Sequence, residues 1–407
     1  MMEYNSYILQ NGIRLIHKHI PNLVAHFGII INAGSRDEEK DEHGIAHFIE
    51  HTIFKGTKRR KAFHILSRLE DVGGEINAYT TKEETCVYAS FLKDDYLRAI
   101  ELISDILINS TFPEKEINKE KEVIIDEINS YKDNPAELIF DEFEEMAYDN
   151  NPLGRSILGC TKQLKSFTKK DILNYIKKNY NTDEIVLSSV GNIDFKKLCK
   201  LAEAYFGKIP NNTRKFERVS FNHYKPRKKT EKKNTFQAHC LIGNIAYSYR
   251  DKNRLGLYLL NNLLGGPGLN SRLNLALREK KGYTYNIESN YSPYCDTGLL
   301  NIYFGTDKEN LFKSINLVQK ELDKLKNRKL GTLQFSKAKK QLIGNIAISS
   351  ENYENLMLSM GKSFLIFNYV DGIYEINNKL EKISTEKLLE IANEVFDKDK
   401  LSMLIYE

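Results

Sequence analysis

The chain has 407 residues, 41% of them hydrophobic and 28% charged, the mix of a folded globular protein rather than a disordered one. At roughly 100–200 residues per domain, this length predicts two or three domains. Sixty basic residues against fifty-five acidic ones leave a net charge of only +5, too little to argue for nucleic acid or an anionic membrane as a partner.

Five widely spread cysteines (Cys86, Cys160, Cys199, Cys240, Cys295) include no CxxC pair, which argues against a disulfide framework or a cysteine zinc site. The stretch from Met1 to Gly12 has no basic segment followed by an apolar core. Apolar runs such as Phe27 to Ile31 are far too short to span a bilayer. The expectation is a cytoplasmic protein.

Tyr7 to His17 reads as two short β runs around Asn11-Gly12, a hairpin signal. A strand follows at Ala25 to Ala33. Apolar spacing then turns helical from Gly44 to Phe54 and from Ala62 to Val72, stopping at Gly73-Gly74. Ile76 to Thr81 and Thr85 to Leu92 read as strands, followed by helices from about Asp94 to Asn109, Pro113 to Tyr131 and Asn134 to Tyr148. Strands and helices in this mixed order predict an α+β fold, not a doubly wound parallel sheet. The charged stretch Lys225 to Asn234 has almost no apolar residues and reads as a solvated linker. The expected division is residues 1–215, a linker over 216–235, and residues 236–407.

The two halves are related. Thr168 to Tyr180 and Ile185 to Val190 align without a gap on Ser384 to Phe396 and Leu401 to Tyr406, with Leu173 on Leu389, Tyr175 on Ile391 and Tyr180 on Phe396. Each copy is a capped amphipathic helix leading into a strand, offset by just over half the chain, which predicts two homologous domains.

The strongest local signal is His47-Phe-Ile-Glu-His51. On a helix, residues four apart share one face, so both imidazoles can reach one ion while Glu50 sits beside them. This is the H-x-x-E-H order; the alternative is two histidines that merely share a helix face. A third ligand is needed. The helix around Glu116 to Tyr131 carries an apolar stripe through Ile117, Ile124, Ile128 and Tyr131, bordered by Glu120 and Glu127 two turns apart. A carboxylate at the edge of a buried face needs a partner, either a metal or nearby lysines.

These residues, with Gly44-Ile-Ala-His-Phe-Ile-Glu-His-Thr-Ile-Phe-Lys-Gly-Thr57 around the motif and Gly73-Gly-Glu-Ile-Asn-Ala-Tyr-Thr80 after it, resemble the pitrilysin/insulinase family of zinc peptidases, which includes the mitochondrial processing peptidase. The resemblance implies zinc held by His47, His51 and Glu127, with Glu50 as general base and Glu120 as a supporting carboxylate. It also implies that the strand around Asn77 and Ala78 pairs with an extended substrate, a mode that reads peptide backbone and is loose in sequence preference.

In the second half, Leu264-Gly-Gly-Pro-Gly-Leu-Asn-Ser-Arg-Leu273 lacks the Gly-Lys-Ser/Thr of a phosphate loop. Arg278 and Tyr285 match the spacing of an Arg/Tyr pair that holds substrate in the family. From the residues alone they are an ordinary exposed Arg and a half-buried Tyr. His43 reads as a loop residue near the site. The resemblance further implies two antiparallel-rich domains forming half of a clamshell chamber. It implies closure by a second copy, with a heterodimer with a related chain as the alternative. Two other readings stay open: a non-catalytic peptide-binding partner, and a metal hydrolase of non-peptide substrates, which needs neither the Asn77 strand nor the Arg278/Tyr285 pair.

Overall fold

A computed structural model describes residues 4–407; of the N-terminal stretch read for a leader, Met1 to Glu3 lie outside the described residues. In chain order the first half comprises β1 (Asn5–Ile8), β2 (Arg14–His19), β3 (Val24–Ile31), α1 (Ile45–Thr52), α2 (Ala62–Glu70), β4 (Glu75–Thr80), β5 (Thr85–Leu92), α3 (Tyr96–Asn109), α4 (Glu114–Lys132), α5 (Pro135–Ala147), α6 (Thr161–Ser166), α7 (Lys169–Asn179), β6 (Ile185–Gly191) and α8 (Phe195–Phe206). The second half comprises β7 (Lys228–Glu231), β8 (Gln237–Ala246), α9 (Arg254–Gly265), β9 (Thr284–Pro293), β10 (Gly298–Asp307), α10 (Leu311–Asn327), α11 (Thr332–Ser350), α12 (Tyr353–Phe367), α13 (Ile373–Glu381), α14 (Thr385–Val395) and β11 (Ser402–Tyr406).

The strands form two sheets of the same design. The first runs β1-β2-β6-β3-β5-β4 and the second β7-β11-β8-β10-β9. In each, one parallel pair (β2 with β6, β7 with β11) adjoins strands that pair antiparallel. The helix-strand repeat read from the sequence is α7-β6 and α14-β11. Thr168 closes a capping box with Asp171, and the Ser384 side chain accepts from the Lys387 amide.

The chain forms two compact units whose membership is not continuous. One holds the chain up to Asn129, Arg155–Arg218 and Ala347–Gly372; the other holds Ser130–Gly154, Val219–Ile346 and Ile373–Glu407. This differs from the expected split near residue 216. Each unit borrows a helix from the other half because each sheet has a second apolar face to cover. In the first unit α12 supplies Leu356, Met357, Met360 and Phe364 against Ile16, Ile30, Val186 and Val190. In the second, α5 supplies Ile139, Phe143 and Met146 against Leu241, Tyr303, Leu404 and Tyr406. Gly361 permits the close approach of α12, since a Cβ there would lie 2.1 Å from Ile30 Cδ1.

The segment read as a solvated linker also differs, because Lys228–Glu231 forms a strand parallel to β11. Its backbone pairs with β11 while Glu231 pairs with Lys229 and Lys233, and charged side chains on an edge strand discourage pairing with other chains, so the composition of a linker and that of a protected edge coincide. Among the described residues no helix is long and apolar enough to cross a membrane.

One buried polar cluster makes the first unit sensitive to acid. His17 is fully buried, with Nδ1 3.1 Å from Ser189 Oγ, which also lies 3.1 Å from the Tyr96 hydroxyl. Burial, reinforced by His19, lowers the His17 pKa to about 4. The unfolded chain therefore binds the extra proton first. The His17 contribution is fully present above about pH 6.5 and is lost as pH falls toward 4, up to roughly 3 kcal/mol. Thermal melts of parent and His17→Phe across this window are expected to show a flatter pH dependence in the variant. An equally steep dependence would contradict the assignment.

Candidate metal centre and cleft

Helix α1 packs Ile45, Ala46, Phe48 and Ile49 into the same core that receives Ile117, Ile124 and Ile128 of α4. The shared core fixes which faces of the two helices meet. Four-residue spacing then sets His47 above His51 with ring centroids 4.7 Å apart. From α4, Glu127 Oε2 lies 3.4 Å from His51 Nε2 and 3.9 Å from His47 Nε2. One ligand atom from each of His47, His51 and Glu127 falls within 4.8 Å of the others.

These distances fit a shared ion. Two ligands each about 2.0–2.1 Å from a tetrahedral zinc lie about 3.3 Å apart. Burial, with His51 as a second cause, lowers the His47 pKa to about 4, so its ring is neutral at pH 7, the form that binds metal. The Nδ1 of His47 is buried with no hydrogen-bond partner among the described residues, which leaves Nε2 as the nitrogen facing a polar group. Two imidazoles and one carboxylate, with no sulfur, suit zinc with an open fourth position.

Glu120, 3% exposed, lies between α1 and α4. One carboxylate oxygen is 3.5 Å from His51 Nδ1 and the other pairs with Lys55 Nζ at 2.9 Å. The His51 ring is thus bracketed by Glu120 on one nitrogen and Glu127 on the other, an arrangement that orients a ligating imidazole. Glu50, His51, Glu120, Asn77 and Ala78 line one cleft of about 300 Å³, walled by Phe54, Lys55, Leu66 and Ile76. Burial raises the Glu50 carboxyl, opposed by Thr80 and His51. The cleft is floored by β4, among the described residues the last strand of its sheet, paired with β5 so that Asn77 lies opposite Tyr88 and Ala78 opposite Val87.

Arg278 and Tyr285 belong to the second unit. Arg278 sits on a π-helical turn, Asn274–Glu279, and its guanidinium lies 5.2 Å from the centre of the Tyr285 ring. Both line a cleft of about 430 Å³ with the Gly265–Gly268 loop and β9. Tyr285 is 82% exposed, more than the half-buried ring read from the sequence, because it sits at the start of β9, the last strand of its sheet. His43 faces the Ser156 carbonyl at 2.9 Å, in the loop preceding α1.

Sequence reading singled out neither Lys55 nor Thr80 nor Glu38. Lys55 follows His51 by one helical turn, so the face argument that paired the histidines could have included it. Thr80 belongs to the Asn77 strand. Glu38 accepts the Gly44 and Ala46 amides across a loop with no periodicity and left no signal. Chelator-competition titration of zinc is expected to show stoichiometric binding lost in Glu127→Gln and affinity lowered ten- to hundredfold in Glu120→Gln. Parent-like affinity in Glu127→Gln contradicts the donor set.

Two family models cover most of the chain. The insulinase model (peptidase family M16) matches residues 14–161, and the model described as the peptidase M16 inactive domain matches residues 166–342. The chain is similar to an uncharacterized zinc protease, YmxG, of Bacillus subtilis, at 34% identity over 402 residues, 98% of this chain and 97% of the relative. It is 31% identical over 412 residues to the mitochondrial-processing peptidase subunit beta of Saccharomyces cerevisiae, covering 97% and 89%. The fold matches a protease from Helicobacter pylori (TM-score 0.90, 21% identity, 100% and 99% covered) and a peptidase M16 inactive domain structure from Pseudomonas fluorescens (TM-score 0.91, 19% identity, 99% and 98% covered). With this coverage and identity along nearly its whole length, the chain belongs to the insulinase family of peptidases, family M16.

Proposed function

We propose that the chain is a zinc-dependent endopeptidase that hydrolyses unfolded peptides taken up as an added strand on the open edge of β4. The observation that carries this reading is the convergence of His47 Nε2, His51 Nε2 and Glu127 Oε2 beside a cleft that Glu50 and the edge strand also line. A peptide paired with β4 presents its backbone to that cleft whatever its sequence.

His47, His51 and Glu127 hold the ion, and Glu120, itself paired with Lys55, keeps the His51 ring turned toward it. Bound zinc supplies a Lewis acid that polarises the scissile carbonyl and brings the pKa of water toward neutrality. Glu50 takes the proton of the attacking water on a carboxylate oxygen and later delivers it to the leaving amine. Its burial, which lifts the carboxyl above the ordinary range, suits a group that must both accept and release a proton. Asn77 and Ala78 hold the substrate backbone. Arg278 and Tyr285 steady the substrate, with the Tyr285 hydroxyl available to an oxyanion and Arg278 stacked on its ring. In this reading two copies of the chain close a chamber, each pair serving its own zinc site or its neighbour's. A heterodimer with a related chain is the second reading, favoured by the similarity to a protein named as a subunit of the mitochondrial-processing peptidase.

Glu50→Gln is expected to retain zinc at parent stoichiometry and to lose activity by roughly 10²–10⁴-fold, read by mass spectrometry of a mixture of unfolded peptides. Turnover within twofold of the parent sinks the assignment. The same mixture set against small esters separates a peptidase from a hydrolase of other substrates. Sedimentation equilibrium is expected to give twice the mass of one chain; a fully active monomer contradicts the dimer.

A further inference from the structure

Helix α1 has only eight residues, too few to be stable alone, yet it must hold His47, Glu50 and His51 to within a fraction of an ångström. Its N-cap is Gly44, whose φ of 96° and missing side chain provide no cap. Glu38 supplies one. The Gly44 N–H donates to Glu38 Oε2 and the Ala46 N–H to Oε1, each at 3.0 Å, and Glu38 is 4% exposed. Two oxygens on two amides, one of them next to His47, fix both the axial position and the rotation of the first turn. The carboxylate also stands at the positive end of the helix dipole.

The loop is held on its other side as well. Gly44 lies against Gly159, so that a Cβ on Gly159 would come 2.5 Å from Gly44 Cα. Arg155 donates to the Glu38 and Glu39 carbonyls at 2.9 and 3.2 Å. Glu38 is thereby gripped from both its backbone and its carboxylate. Burial raises its carboxyl, and the Gly44 and Ala46 amides and Arg155 oppose that shift by favouring the carboxylate.

We propose that Glu38 is a positioning residue for the metal helix, its buried carboxylate clamping the Gly44 and Ala46 amides so that His47, Glu50 and His51 meet Glu127 in register. This rests on the zinc site proposed above. Glu38→Gln keeps the shape but offers an NH₂ to one of the two amides. Three quantities are compared in parent and variant: zinc affinity by chelator competition, the visible spectrum of the cobalt-substituted protein, and kcat and KM on unfolded peptides. The expected result is zinc binding ten- to hundredfold weaker, an altered cobalt spectrum, and lowered kcat at KM within twofold, with the circular dichroism of a folded chain. A folded Glu38→Gln with parent affinity and cobalt spectrum overturns the proposal, whereas a parent that binds no metal overturns the zinc site itself. Should Glu38→Gln not accumulate folded, Glu38→Asp, which keeps the charge but is one methylene short, is read by the same measurements, and parent values there overturn it equally.

Discussion

The buried carboxylate of Glu120 is the constraint on which the site depends. A charge withdrawn from water costs several kcal/mol unless it is paired and hydrogen-bonded, and Glu120 is met by Lys55 on one oxygen and His51 on the other. Both partners lie on or just past α1, while Glu120 belongs to α4. The pairing therefore fastens the two helices at one level, and Glu127, two turns further along α4, arrives opposite both imidazoles. Apolar packing brings the helices together without direction; the ion pair chooses among the registers that packing allows.

The two units share one design but differ in the side chains they set at corresponding places. The five strands of the second sheet repeat the order β2-β6-β3-β5-β4 of the six-stranded first, with the same pattern of parallel and antiparallel pairs, and α9 takes in the second unit the place that α1 has in the first, following the central strand and packing beside the edge strand. Yet α9 carries Asn261 and Asn262 and no histidine, and its cleft is lined by amides, glycines and the exposed Arg278/Tyr285 pair. The two imidazoles and the carboxylate that could hold a metal lie in the first unit. The other presents amides, a guanidinium, a carboxylate and an aromatic ring in its cleft.

Much of this was legible in the sequence because it is local and periodic. The hairpin at Asn11-Gly12, the two histidines on one helix face, the carboxylates bordering the stripe of α4 and the repeat of α7-β6 in α14-β11 all follow from spacings of two or of three to four residues. The family resemblance then joined α1 to α4, which periodicity could not. Long-range features escaped. The strand at Lys228–Glu231 pairs with β11 through its backbone and has the side chains of a linker. The exchange of α5 and α12 between units depends on which sheet face stays uncovered, a property of the folded chain. Glu38 reaches α1 across a loop whose course no local pattern encodes.

The central claim is that α1 and α4 together build a zinc site of two imidazoles and one carboxylate. Zinc K-edge absorption spectroscopy of the purified chain tests it most directly. The account predicts one zinc per chain with a first shell of nitrogen and oxygen only and the outer-shell scattering of two imidazole rings. A sulfur shell, a single imidazole, or no stoichiometric zinc would contradict it.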